Sequence, residues 1–333
     1  MIMMLSFVVH AISAAAPATG LYALTAMQDT LIRIDTATGM NTTVGPVALS
    51  AKYNPVAAQL STIVAESAAM YVLALNRSDN VATNVVGISL KDGSIVHEMV
   101  TPLFQDNGLT IGVGMTIDAA NDGIIVISGV DTQTKKHTAY SVDTKKGFAL
   151  KKLSDGFLSG AEYALDDAHC LDVKNSIYWL TSPSANYSKT GLFDLVGIDL
   201  TKGKEIARHT LPSTGAHALV NDAAGGDLLA VGLTDELKPF AYTVDTVTFK
   251  LRIVASLDVY SIFNSISAWD PATRTLYGMA MQSESVKKPV LVSYNAATKA
   301  KWTVPLCGLS NDAGACDVPF NFDFFDGSAY RGR

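Results

Sequence analysis

The chain has 333 residues, 48% of them hydrophobic and 17% charged, with a formal net charge of −6. So apolar a chain with so little charge is not an intrinsically disordered one. No basic stripe or Lys/Arg run stands out, which argues against nucleic-acid binding as the main role.

In chain order, Met1 to Ile12 is almost wholly apolar, broken only by Ser6 and His10, and runs into Ser13, Ala14, Ala15 and Ala16. An apolar stretch followed by small residues is the layout of a secretory signal, with cleavage after Ala14, Ala15 or Ala16. It is too short to cross a bilayer as a helix, which takes about 20 residues. Residues 1–16 are therefore expected to be a signal peptide and residues 17–333 one secreted domain. No other stretch could span a membrane.

From there one pattern recurs six times. An apolar strand ends in an acidic or small polar residue at Leu31–Asp35, Val85–Ser89, Thr138–Asp143, Leu195–Asp199, Ala241–Asp245 and Leu291–Asn295. Counted on the last residue of each, the steps are 54, 54, 56, 46 and 50 residues. A second apolar run precedes each: Leu21–Leu24, Met70–Leu73, Ile124–Ile127, Ile177–Leu180, Leu228–Val231 and Leu276–Met279. Short β-branched or aromatic runs between turn residues favour strands over helices. Repeats of about 50 residues built from short strands predict an all-β, six-bladed β-propeller with four strands per blade. A seventh, irregular blade within 49–60 or 103–112 is the alternative the repeat leaves open.

The turns that follow the recurring strand start with Asp or Ser and carry Gly near their end in the first four repeats, at Gly39, Gly93, Gly147 and Gly203. The Asp side chain can accept from the backbone two residues on, and Gly supplies positive φ. In the last two repeats Phe249 and Lys299 stand in the Gly position, so looser hairpins or another turn type are expected there. At the end of the chain, Phe320–Asp326 has the pattern of an innermost strand. It is expected to complete the blade begun by residues 20–48, which closes the ring and removes free edges. The blades are then 318–326 with 20–48, 57–103, 111–155, 160–212, 215–258 and 260–306.

Candidate functional residues come from the innermost strands, which line a propeller's channel. Asp118, Asp166, Asp167, Asp222, Asp270 and Asp326 are read as caps of the turns between first and second strands. Counting back from these turns gives Gln59, Val113 or Gly114, Glu162, His217, Asn264 and Asn321 as channel-entrance positions, with Asp323 one step further along. Such a column could hold a hard cation through oxygen ligands or a polar ligand through hydrogen bonds. His169 beside Asp166 and Asp167 suggests a catalytic pair, but no Gly-X-Ser-X-Gly elbow accompanies it. Walker, His-Glu-X-X-His, Cys-X-X-Cys and Rossmann signatures are absent. Cys307 and Cys316 flank a short loop that a disulfide could clamp in an oxidising compartment. Cys170 reads as a buried, inert thiol. Asn41, Asn76 and Asn186 are glycosylation sequons in turns or loops.

The degenerate repeat with its Asp-Thr-X-Thr-Gly turns resembles the YVTN and quinoprotein propellers. The blade count and the channel residues resemble the six-bladed gluconolactonases and strictosidine-synthase-like proteins. That second resemblance implies one divalent cation, calcium or a transition metal, held by Glu162, Asn264 and Asn321, with Asp323 or His217 as acid–base group. The leading expectation is a non-enzymatic, secreted recognition or structural module without a cofactor. It would bind an extracellular protein or glycan through one rim. The alternative is a metal-dependent lactonase or esterase working in the channel.

Overall fold

The computed structural model describes residues 17, 19–25, 29–54, 61–78, 82–104, 115–134, 137–155, 168–184, 186–211, 216–234, 236, 238–283, 285, 288–306 and 319–325, of which 54, 82, 104, 121, 130, 155, 187–188, 261–266 and 319–325 by their backbone alone. The chain is a six-bladed β-propeller. Blade 1 orders its strands as Pro319–Phe325, Gly20–Thr25, Thr30–Ile34 and Asn41–Pro46. Blade 2 is Ser61–Val64, Ala69–Asn76, Ala82–Ser89 and Ile95–Phe104; blade 3 is Thr116–Ala119, Ile124–Asp131, His137–Asp143 and Ala149–Asp155. Blade 4 is His169–Asp172, Ile177–Pro183, Phe193–Asp199 and Lys204–Thr210. Blade 5 is Ala218–Asp222, Asp227–Leu233, Pro239–Asp245 and Leu251–Ser256; blade 6 is Tyr260–Asp270, Thr275–Met281, Pro289–Asn295 and Lys301–Pro305. The six inner strands touch one another in cyclic order, the sixth returning to the first, so the ring is closed.

The burial of each strand explains its composition. Second and third strands are sandwiched between neighbouring blades on both faces: Phe193–Asp199 is buried at every position and Ala69–Asn76 at all but the last. Their apolar runs are therefore continuous rather than alternating. Outer strands face solvent, and Lys204–Thr210 is mostly exposed. The carboxy-terminal strand closes blade 1 as expected, with Gly20 opposite Phe325, Tyr22 opposite Asp323 and Leu24 opposite Asn321. The stretches that could have hidden a seventh blade do not form one among the described residues. Tyr53–Asn54 pairs with Leu75 and Asn76, and Leu103–Phe104 pairs with Val130 and Asp131, tying blade 2 to blade 3.

The turn expectation for the last two repeats is corrected. Phe249 and Lys299 adopt φ of 55° and 66°, beside 72° at Gly39 and 62° at Gly203. Phe249 N donates to Asp245 O at 2.8 Å, as Gly39 N does to Asp35 O at 2.8 Å. The turn is the same because the first residue dictates it. Asp245 Oδ1 accepts from Val247 N and Thr248 N at 2.8 Å each, matching Asp35 Oδ1 with Ala37 N and Thr38 N at 2.9 and 2.8 Å. The left-handed conformation disfavours a side chain, but the Phe249 ring is used. It stacks on His209 at 5.4 Å and meets Trp179 edge-on at 6.3 Å, wedging blade 5 against blade 4. Phe148, at φ 61°, wedges blade 3 against His97 and Tyr71 of blade 2 at 4.6 and 6.2 Å.

Candidate functional site in the channel

The inner strands enclose a cavity of about 190 Å³ near the end where they run into their turns. Blades 2 to 6 each contribute: Thr62, Asp118, His169, Asn221 and, from blade 6, Ser267 and the half-buried indole of Trp269. The strand registers put these residues one to three positions before the turn. Asp222 pairs with Asp227 in blade 5, and Asp172 with Ile177 in blade 4, so these two acids end their inner strands. In blade 3, Ile125 pairs with Ala119 and Val126 with Asp118, which leaves Asp118 short of the turn.

Two sequence readings change as a result. Asp118 is not a turn cap. Its Oδ2 lies 2.7 Å from His169 Nδ1 of the next blade. The carboxylate partner of His169 is thus Asp118, while Asp166 and Asp167 lie outside the described residues. The turn residue of blade 4 is Asp172, whose carboxylate accepts from Asn175 N and Nδ2 at 3.1 and 2.7 Å. Glu162 is ten residues before that turn rather than five. The capping reading does hold for Asp270, which accepts from Ala272 N at 2.9 Å and Thr273 N at 3.3 Å. Asp222 accepts from Gly225 N at 3.2 Å and also takes Arg274 of blade 6 in a two-pronged ion pair at 2.9 and 2.6 Å.

Behind Asp118 and His169 a hydroxyl chain ties blade 3 to blade 4. Tyr178 donates to Thr116, Thr116 and Ser128 share a hydrogen bond of 2.6 Å, and the Tyr178 hydroxyl is 3.3 Å from His169 Nδ1. Burial, together with the Asp118 charge, pushes the Tyr178 phenol well above its ordinary range, so it stays protonated and donates. Thr62 Oγ1 accepts from Ala119 N at 2.9 Å and bridges blade 2 to blade 3. Within the central pair the exposure is uneven: the His169 side chain is 6% exposed and that of Asp118 is 21%. The imidazole orients the carboxylate, and the carboxylate faces the cavity. Cys170 is buried as expected, and burial pushes its thiol well up, with Asp118 and Asp172 adding to the shift. Both effects keep the thiol protonated.

The other predicted residues are distributed as follows. His217 is buried just before the inner strand of blade 5, its backbone N–H donating to Val231 O at 2.7 Å, outside the lining of the cavity. The backbone places Asn264 in the irregular part of Tyr260–Asp270, where the register shifts between Ile262 and Ser267. Asp323 is at the register level of Asp118, and Asn321 two positions earlier. Gln59, Val113, Gly114, Glu162, Asp326, Cys307, Cys316 and residues 1–16 lie outside the described residues, as do the side chains of Asn264, Asn321 and Asp323. Among the described residues no three His, Cys, Asp or Glu side chains converge on a point. Of the sequons, Asn186 is exposed, Asn76 Oδ1 accepts from Ser78 N at 3.0 Å, and Asn41 is half-buried in a strand.

The fold and site define a six-bladed propeller with a polar cavity in its channel. No family model matches the chain, and no curated protein matches it in sequence. Solved structures share the fold. TolB from Acinetobacter baumannii superposes with a TM-score of 0.59 at 12% identity, covering 94% of this chain and 68% of that one. The nidogen/laminin complex gives 0.58 at 11% identity, over 94% of this chain and 100% of that one. The periplasmic gluconolactonase PpgL of Pseudomonas aeruginosa gives 0.53 at 12% identity, over 92% and 99%. These similarities extend to the fold alone. No described helix is long and apolar enough to cross a membrane.

Proposed function

We propose that the protein is an exported, non-enzymatic recognition propeller that binds a glycan at the channel end where the inner strands meet their turns. The observation that carries this is the order of the His169–Asp118 pair. The imidazole is buried and the carboxylate faces the cavity, an arrangement suited to accepting hydrogen bonds from ligand hydroxyls. Thr62, Asn221 and Ser267 add hydroxyl and amide groups around it, and Trp269 offers an apolar face to the C–H side of a sugar ring. The apolar leader followed by small residues supports export. The fold itself is used both ways among its neighbours, by nidogen in its complex with laminin and by a gluconolactonase.

The test is a glycan screen with the secreted protein, followed by titration of any hit against Asp118→Asn and Trp269→Ala. Hydrogen bonds to a charged group contribute about 1.5–3 kcal/mol, so Asp118→Asn should weaken binding roughly 10- to 100-fold. A protein that takes no glycan but turns over lactones, with turnover lost in Asp118→Asn, would replace this reading with the channel hydrolase.

A further inference from the structure

We infer that the seam between blades 3 and 4 binds a long-chain carboxylate, a free fatty acid, with its head group at Lys151. This seam is built differently from two of its neighbours. Phe148 wedges blades 2 and 3, and Phe249 wedges blades 4 and 5. The residue of blade 4 equivalent to Phe249 is Gly203, at φ 62°, which packs closely against the backbone of Leu153 and Ser154 and puts no aromatic ring into the seam. Beside this contact, between other side chains of the two blades, lies a cavity of about 580 Å³. Its walls are Ile124, Val126 and Leu153 of blade 3 and Leu171, Val173 and Leu200 of blade 4, with hydroxyls of Ser141, Ser176 and Thr201 as polar breaks.

The register gives the groove its length and its charged end. Val126, Ser141 and Lys151 are direct cross-strand neighbours that all line the groove, so they form one row across blade 3. Two strand spacings make that row about 10 Å long. Its outer end is basic although the chain as a whole carries −6. Lys151 is exposed and forms no ion pair among the described residues, and Lys152 lines the same opening. The nearby acids already have cations of their own: Asp143 has Lys146 at 3.1 Å and Asp199 has Lys202 at 2.7 Å. A groove walled by aliphatic side chains with polar breaks, ending in an uncompensated lysine, complements an amphiphile with an anionic head. Aliphatic side chains outnumber the hydroxyls along the walls, which favours an alkyl chain over a peptide backbone with polar groups at every residue.

The experiment titrates the delipidated full chain with saturated carboxylates of increasing length, each below its micellar concentration, and with the matching alcohols. Binding should be saturable at one per chain. Affinity should rise about fourfold for each added methylene and level off when the groove is full. Lys151→Glu should weaken the acids several-fold and leave the alcohols unchanged. Leu153→Trp should block both, with its fold checked by circular dichroism. Affinity indifferent to chain length, or acids unaffected by Lys151→Glu, would overturn the proposal. So would a groove that takes an acidic peptide in place of the acids.

Discussion

Replacing Gly197 with alanine should destabilise the protein by about 1–2 kcal/mol, for a reason visible in one contact. Gly197 is the cross-strand partner of Trp179. A Cβ built on Gly197 would stand 2.7 Å from Cζ3 and 2.9 Å from Cη2 of that indole. The ring has nowhere to retreat, since Trp179 is 1% exposed and lies edge-on to Phe249 of the next blade. Overpacking of this kind costs about 1–3 kcal/mol. Against it, alanine recovers about 0.5–1 kcal/mol of glycine's unfolded-state freedom. In a domain of this size each kcal/mol moves Tm by about 2 °C, so the expected drop is roughly 2–4 °C, with an unchanged urea m-value. Trp179→Leu should itself be costly, by about 2–4 kcal/mol. In that background Gly197→Ala should become neutral or stabilising, a coupling of about 1–3 kcal/mol. Gly87, whose Cβ would fall 2.8 Å from its partner Tyr71, should behave alike. Equal effects of Gly197→Ala with and without the indole would refute the argument.

Ending the chain after residue 318 removes the inner strand of blade 1 and bares the Gly20–Thr25 edge; the truncated protein should aggregate or lose cooperative unfolding, and one that melts like the full chain would discredit closure by the carboxy terminus. Acid should loosen the outer hairpins. Asp35 is held below the usual carboxylate range by the Thr38 N–H, the Thr38 hydroxyl and the Ala37 N–H, and Asp245 by the Thr248 and Val247 N–H groups. With folded values depressed, their contribution is present above the unfolded value of about 4 and is lost as pH falls through the folded values. Amide exchange at Thr38 and Thr248, corrected for intrinsic rates, should therefore quicken below about pH 4, and unchanged protection down to pH 2 would count against it. Arg274→Met should cost about 2–3 kcal/mol, because it strands the buried Asp222 carboxylate at the seam of blades 5 and 6. Adding Asp222→Asn should recover part of that loss in a urea titration.

The second and third strands, and with them the blade count, were legible in the sequence, because these strands are buried on both faces and must be continuous apolar runs between turn residues. The closing strand, Pro319–Phe325, was legible as a strand pattern left over after the sixth blade. The inner strands were not. Those of blades 2 to 5 are only four or five residues long and border a polar channel, so no apolar run marks their ends, and Asp118 passed for a turn residue. The hairpin turns at Phe249 and Lys299 were misjudged because Gly was weighed above the Asp or Asn cap that sets the turn. The His169–Asp118 pair joins residues 51 apart in two different blades. No local pattern encodes it, because it exists only once the ring packs one blade's inner strand against the next. The groove between blades 3 and 4 is likewise a property of assembly: its walls come from two blades, Ile124 and Val126 on one side and Leu171 and Leu200 on the other.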